Sequence, residues 1–84
     1  MKITFPLLDI VDGHKVSTIE FPEMIPMGAP DAGAMYETMV FRLSAEGEVI
    51  DEVDSRRYAQ PEAASAGHAE LVRQVMLIES AFAR

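Results

Sequence analysis

The feature that most constrains the fold is one stretch, residues 36–68, in which a β-hairpin pattern runs directly into a helix pattern. Residues 36–43 form an extended run that is apolar in part on both faces, as a central or covered strand is, and a turn at residues 44–47 leads to a second extended run at 49–54. Pro61 then starts a segment whose apolar residues recur at three- and four-residue steps. This order of patterns predicts an α+β fold.

Another hairpin, the first along the chain, is predicted between residues 3 and 21. A two-residue turn at residues 12–13 would set Asp9 opposite Val16, which pairs a carboxylate with an apolar side chain. A three-residue loop at 11–13 avoids this mismatch and stacks apolar partners on one face. We therefore expect the three-residue loop.

Together these patterns predict an antiparallel sheet of about four strands, made of two hairpins, with one C-terminal helix packed on one face. A chain of 84 residues is expected to form a single domain, 1–84, whose core is too small for a deep private cavity. Gly67 on the helix would let a bulky side chain such as Tyr58 come close. The predicted apolar stripe of the helix consists of Ala64, His68, Leu71, Val75, Ile78 and Phe82.

Charge limits the classes of partner. Fourteen acidic and seven basic residues give a net charge of −7, which disfavours direct binding to nucleic acid. The second hairpin along the chain concentrates this negative charge, because its residues 46–54 hold five carboxylates and no cation. They either keep a strand edge soluble or form an acidic face for a protein partner with a basic surface. The residues of this predicted partner site are Glu46, Glu48, Asp51, Glu52 and Asp54.

The neighbouring basic residues, Arg56 and Arg57, also have two interpretations. They balance the charge of Asp54 and Glu52, with one arginine packed over Tyr58, or they contact a partner. We include both arginines in the predicted partner site.

The connection between the two hairpins, residues 23–34, contains two prolines and two glycines and is predicted to be a loop. It is apolar for a loop. Its side chains Met24, Ile25 and Met27 are expected to fold back over an end of the sheet, or else Met24 and Met27 present an adaptable contact surface to a partner.

Catalytic and metal chemistry find little support in the sequence. The chain has no cysteine, no glycine-rich phosphate loop and no nucleophile elbow, and its two histidines lie far apart in sequence. We expect no cofactor, no metal and no catalytic residue. His68 is predicted to be neutral at the helix–sheet boundary, bonded to a backbone carbonyl or to Tyr58, and an enzyme that uses His68 is the remote alternative.

A cytoplasmic location is expected. The chain has no run of eighteen apolar residues, which argues against a membrane span, and Pro6 and Asp9 interrupt the apolar N-terminal segment, which argues against a secretory leader.

The segments Tyr36-Glu37-Thr38-Met39-Val40-Phe41, Arg57-Tyr58-Ala59, Glu62-Ala63 and Gly67-His68, with an acidic strand between the first two, carry a resemblance. In order and spacing they resemble small proteins encoded by bacteriophages, prophages and their bacterial hosts, a group with no established activity. The resemblance therefore assigns no functional residue. Together with the small, acidic and cysteine-free composition, it leads us to expect a protein-interaction module of phage or mobile-element type in the host cytoplasm. The hypothesis for its action is inhibition of a host nucleic-acid-binding defence complex, to which the acidic residues 46–54 would bind. The alternative is a structural or accessory phage assembly protein that self-associates as a homo-oligomer.

Overall fold

The computed structural model describes residues 2–82 and the side chains as far as Ile78. Its four strands form one antiparallel sheet in the order β1-β2-β3-β4, and a single long helix packs across one face, which confirms the predicted α+β class. In the described residues, no helix combines the length and hydropathy needed to cross a lipid bilayer. The elements are β1 Leu7–Val11, β2 His14–Glu20, β3 Tyr36–Leu43, β4 Val49–Tyr58 and α1 Pro61–Phe82.

The predicted register of the first hairpin is wrong. Val11 pairs with His14 across a two-residue turn, in which Asp12 and Gly13 have φ angles of 48° and 75°. Two successive positive φ values are typical of a type I′ turn, whose twist matches that of the flanking strands. The strand β1 also begins at Leu7 rather than at residue 3. Asp9 does lie opposite Val16, and its carboxylate is hydrogen-bonded to His68 on the helix.

The turn residues Ala45-Glu46-Gly47 predict a left-handed Gly47, with Leu43 opposite Val49 and Phe41 opposite Asp51. The structure confirms this turn but not the whole predicted register. Gly47 has a φ of 86°, and Leu43 pairs with Val49 as expected. Two β-bulges then shift the pairing, so that Phe41 lies opposite Glu52 and not opposite residue 51. A bulge inserts one residue without breaking the alternation of the partner strand, so the pattern of side chains does not reveal it.

The core lies between the sheet and the helix. Val16 and Val40 from the two central strands pack against Leu71 and Val75 of α1. The predicted helical stripe is buried from Ala64 to Val75, but Ile78 is 54% exposed because α1 runs on past the edge of the packed core. The side chain of Phe82, the last member of the predicted stripe, lies outside the described residues.

The close approach predicted at Gly67 is confirmed. Gly67 is buried, and a Cβ atom placed on it would overlap the ring and the hydroxyl group of Tyr58. The absence of a side chain at this position is therefore what lets the last residue of β4 lie against the helix.

The connection from β2 to β3 is ordered by backbone hydrogen bonds. Ile25 N–H donates to the Ala34 carbonyl at 3.0 Å, and Gly33 N–H donates back to Ile25 at 2.9 Å. Ile25 is half-buried, as expected, but Met27 is 89% exposed and Met24 is also exposed. The expectation that both methionines cover the sheet is wrong, because the bonds that shape this loop hold them outward.

Tyr36 provides a pH-dependent probe of this end of the sheet. Its ring packs on Phe5 with 4.8 Å between centroids, and burial, with smaller contributions from Glu20 and Glu62, raises the pKa of its hydroxyl above 10.0. The folded chain holds this proton more tightly than the unfolded chain, so the stability contributed is intact below pH 10 and falls as the pH rises further. We expect a late phenolate transition in a spectrophotometric titration, which Tyr36→Phe removes. A Tyr36 midpoint at or below 10 would contradict this.

Candidate functional site

A groove opens between α1 and the β3–β4 hairpin, with a volume of about 240 Å³. Buried side chains form its floor, and Val53 and Ile78, both about half exposed, form its walls. Asp54 stands at its rim as the carboxylate of the site. The groove thus combines an apolar interior with one negative charge. Its lining residues are His14, Val40, Val53, Asp54, Leu71, Gln74, Val75 and Ile78.

A bulge in β4 positions the rim of the groove. Val40 pairs with Asp54 and Phe41 pairs with Glu52, which leaves Val53 as the extra residue. Because a bulge re-aims side chains, both Val53 and Asp54 line the groove although they are adjacent in sequence. The Asp54 carboxylate accepts a hydrogen bond from the Ser55 N–H at 2.8 Å, which holds it in place.

The predicted acidic residues do not all lie on one face, and not all of them carry an uncompensated charge. Asp51 forms a bidentate pair with Arg42, with N–O distances of 3.0 and 3.2 Å, so its charge is compensated. Glu52 pairs with Phe41 on the opposite face of the sheet. Glu46 and Glu48 lie in the exposed turn, where the hydroxyl of Ser44 accepts hydrogen bonds from their backbone N–H groups. The acidic run is therefore distributed around the end of the hairpin.

The two predicted arginines belong to the other end of β4 and point to opposite sides of the sheet. Arg56 pairs with Glu70 of the helix at 3.2 Å. Arg57 pairs with Glu37 at 3.0 Å and with Asp31 at 3.6 Å. Neither arginine forms an ion pair with Asp54 or Glu52, because each pairs with carboxylates on other segments instead.

Arg57 also ties the predicted methionine loop to the sheet. Its guanidinium lies 5.9 Å from the centre of the Phe21 ring, and the segment 21–26 borders it. Met24 is thus placed near Arg57, Met27 follows in the same loop, and the length of β3 separates this loop from the acidic turn. The structure divides the predicted partner site into two regions at opposite ends of the sheet.

A chain of polar side chains, not predicted from sequence, connects the helix with three strands. The Nε2 atom of His68 lies 2.7 Å from Asp9 Oδ2, and its Nδ1 lies 2.7 Å from the hydroxyl of Thr18. The Thr18 hydroxyl is in turn 2.5 Å from that of Thr38. His68 therefore uses both ring nitrogens, and the expected bond to a backbone carbonyl or to Tyr58 is not the one formed.

The order Asp9–His68–Thr18 is that of a hydrolase triad, in which a carboxylate orients a histidine that activates a hydroxyl. Here the hydroxyl belongs to a side chain with 0% exposure and is shared with Thr38. A substrate would have to displace the helix to reach it. The geometry supports a role for these residues in joining α1 to the sheet.

Comparison with protein-family models, curated proteins and solved structures found no match for this chain. Among the described side chains, which end at Ile78, no three of histidine, aspartate or glutamate are grouped closely enough to hold a metal ion. The resemblance to phage-encoded proteins remains a prediction.

Proposed function

We propose that the protein is a protein-interaction module that binds a partner with a basic surface through the groove between α1 and β4. The observation that supports this function best is the position of Asp54 at the rim of a mostly apolar groove, whose other polar lining residues are His14 and Gln74. Ligand sites are commonly concave, mostly apolar and equipped with a few polar groups that set orientation.

The groove defines the chemistry of the partner segment. An apolar side chain of the partner would cover Val53 and Ile78, and each 100 Å² of apolar surface removed from water would contribute about 2.5 kcal/mol before the costs of association. A lysine or arginine next to it would pair with Asp54. The net charge of −7 would attract such a segment over a longer range and raise the rate of encounter.

The inhibitor hypothesis follows from the same chemistry. Protein surfaces that bind nucleic acid are rich in lysine and arginine, and the phosphate backbone competes for the same cations. A small acidic protein bound at such a surface would exclude the nucleic acid. A phage-encoded inhibitor of a host defence complex is one protein with this activity.

A charge reversal at the rim tests the proposal. The probe is a synthetic amphipathic peptide with leucines and one tryptophan on one helical face and arginines on the other, since the protein itself has no tryptophan. We expect Asp54→Lys to weaken its binding about tenfold, because an attractive ion pair beside an apolar contact becomes a repulsion. Tryptophan fluorescence of the peptide measures the dissociation constant.

The matched control is Glu23→Lys, which makes the same change of net charge in the exposed loop between β2 and β3. We expect it to weaken binding less than about twofold, as general electrostatic attraction alone would dictate. Equal effects of the two substitutions, or no binding of the peptide by the wild-type protein, would refute the groove as the binding site.

A further inference from the structure

The face of the sheet opposite α1 is open and apolar at its centre. In the described part of the chain no element lies over it, and Leu8 and Ile10 on β1 are 57% and 61% exposed. Ile19 on β2 is exposed, and Met39 and Phe41 on β3 are half-buried. Exposed apolar side chains that adjoin one another in a sheet are typical of an interaction surface.

This open face is balanced in charge although the whole chain is strongly acidic. The strands place four charged side chains on it, Lys15, Arg57, Glu37 and Glu52, which sum to zero. Arg57 pairs with Glu37 at 3.0 Å and also with Asp31 of the loop at 3.6 Å. Lys15 and Glu52 lie on either side of Phe41, and neither forms an ion pair with another described residue. Contact between two copies through the strands of this face therefore brings together no net like charge.

We propose that the open face binds a second copy of this chain, face to face, as a symmetric dimer. A two-fold axis parallel to the strands, between β2 and β3, would set β1 of one protomer over β4 of its partner. Lys15 would then lie beside the partner's Glu52, and the symmetry would form this ion pair twice. Sheets pack in this way about 10 Å apart, with inner side chains interdigitated.

The size of the face fits a reversible dimer. Four strands spaced about 4.8 Å apart and about seven residues long at about 3.3 Å per residue cover on the order of 400 Å² in projection. The loop segment 21–26, with the exposed Met24, borders Arg57 and extends this surface. Two such faces bury on the order of 1,000 Å² of accessible surface, which is the size class of weak and transient complexes.

Sedimentation equilibrium of the full chain, from about 5 μM to about 1 mM, tests the proposal. We expect a reversible transition from monomer to dimer in this range. Ile10→Glu should abolish the dimer at every concentration, whereas Leu77→Glu, the same kind of change on an exposed residue of α1, should leave it unchanged. Circular dichroism would verify that both variants fold.

Substitutions that exchange the charges of Lys15 and Glu52 test how the two copies are arranged. Lys15→Glu and Glu52→Lys should each weaken the dimer at least tenfold, and the double substitution should restore most of the association. A wild-type chain that remains monomeric at about 1 mM would overturn the proposal. A dimer that is insensitive to Ile10→Glu would overturn it equally, because the contact would then lie elsewhere on the molecule.

Discussion

Replacement of His68 by alanine is expected to lower the free energy of unfolding by about 3 kcal/mol. His68 is 5% exposed and bonded at both ring nitrogens, so alanine leaves a cavity and removes a partner from Thr18. Thr18 has no exposure to water that could replace that partner. A loss of this size in a domain of about this length lowers the melting temperature by roughly 12 to 24 °C.

Urea denaturation followed by circular dichroism measures the effect. His14→Ala is the control, since His14 is the other histidine and bonds only to the backbone carbonyl of Asp12, at 2.9 Å. We expect this control to cost less than about 1 kcal/mol. A double-mutant cycle with Thr18→Val should show coupling between the two sites, because the Thr18 hydroxyl keeps only its bond to Thr38 once the imidazole is gone. Equal losses of unfolding free energy in His68→Ala and His14→Ala would contradict the role assigned to His68.

Gly67→Ala is expected to destabilise the protein by about 2 kcal/mol, although alanine is the better helix former. At an unobstructed helical position the same change would stabilise by about 0.5–1 kcal/mol. Here the new methyl group would occupy the space of the Tyr58 ring and hydroxyl, and the rigid ring can only move by shifting β4 or the helix.

Removal of the obstructing side chain should reverse the sign of this effect. In a Tyr58→Ala background we expect Gly67→Ala to stabilise the protein by up to about 1 kcal/mol, as helix propensity alone predicts. Thermal unfolding of the four proteins of this cycle gives the coupling energy directly. A stabilising Gly67→Ala in the wild-type background would show that the helix accommodates the methyl group, contrary to the packing described here.

Local signals in the sequence were sufficient to predict whether each segment forms a strand, a turn or a helix. Pro61 does begin the helix, Gly47 does take the left-handed conformation of its turn, and Gly67 does admit Tyr58. The register of the first hairpin could not be predicted from such local signals. Pairing of Asp9 with Val16 is unfavourable within the hairpin alone, and it becomes favourable only because His68 lies above it. A contact across 59 residues outweighed the local preference.

The candidate site shows the same limit. The charge of the acidic run is evident in the sequence. How its carboxylates are distributed over the surface depends on two bulges and on Arg42, which forms an ion pair with Asp51. Only Asp54 of the run lines the groove. The groove itself depends on how far α1 extends beyond the sheet, and an amphipathic pattern that continues past Val75 does not show where packing stops.

The bond between Asp9 and His68 also bears on how the chain folds and opens. Each strand pairs with its neighbour in sequence, so the sheet can grow as a series of short-range steps, which favours rapid folding. Asp9 and His68 instead join the first strand to the last element. The edge strand β1 and the helix are thereby coupled into one cooperative unit, so fraying at one terminus of the chain loosens the other.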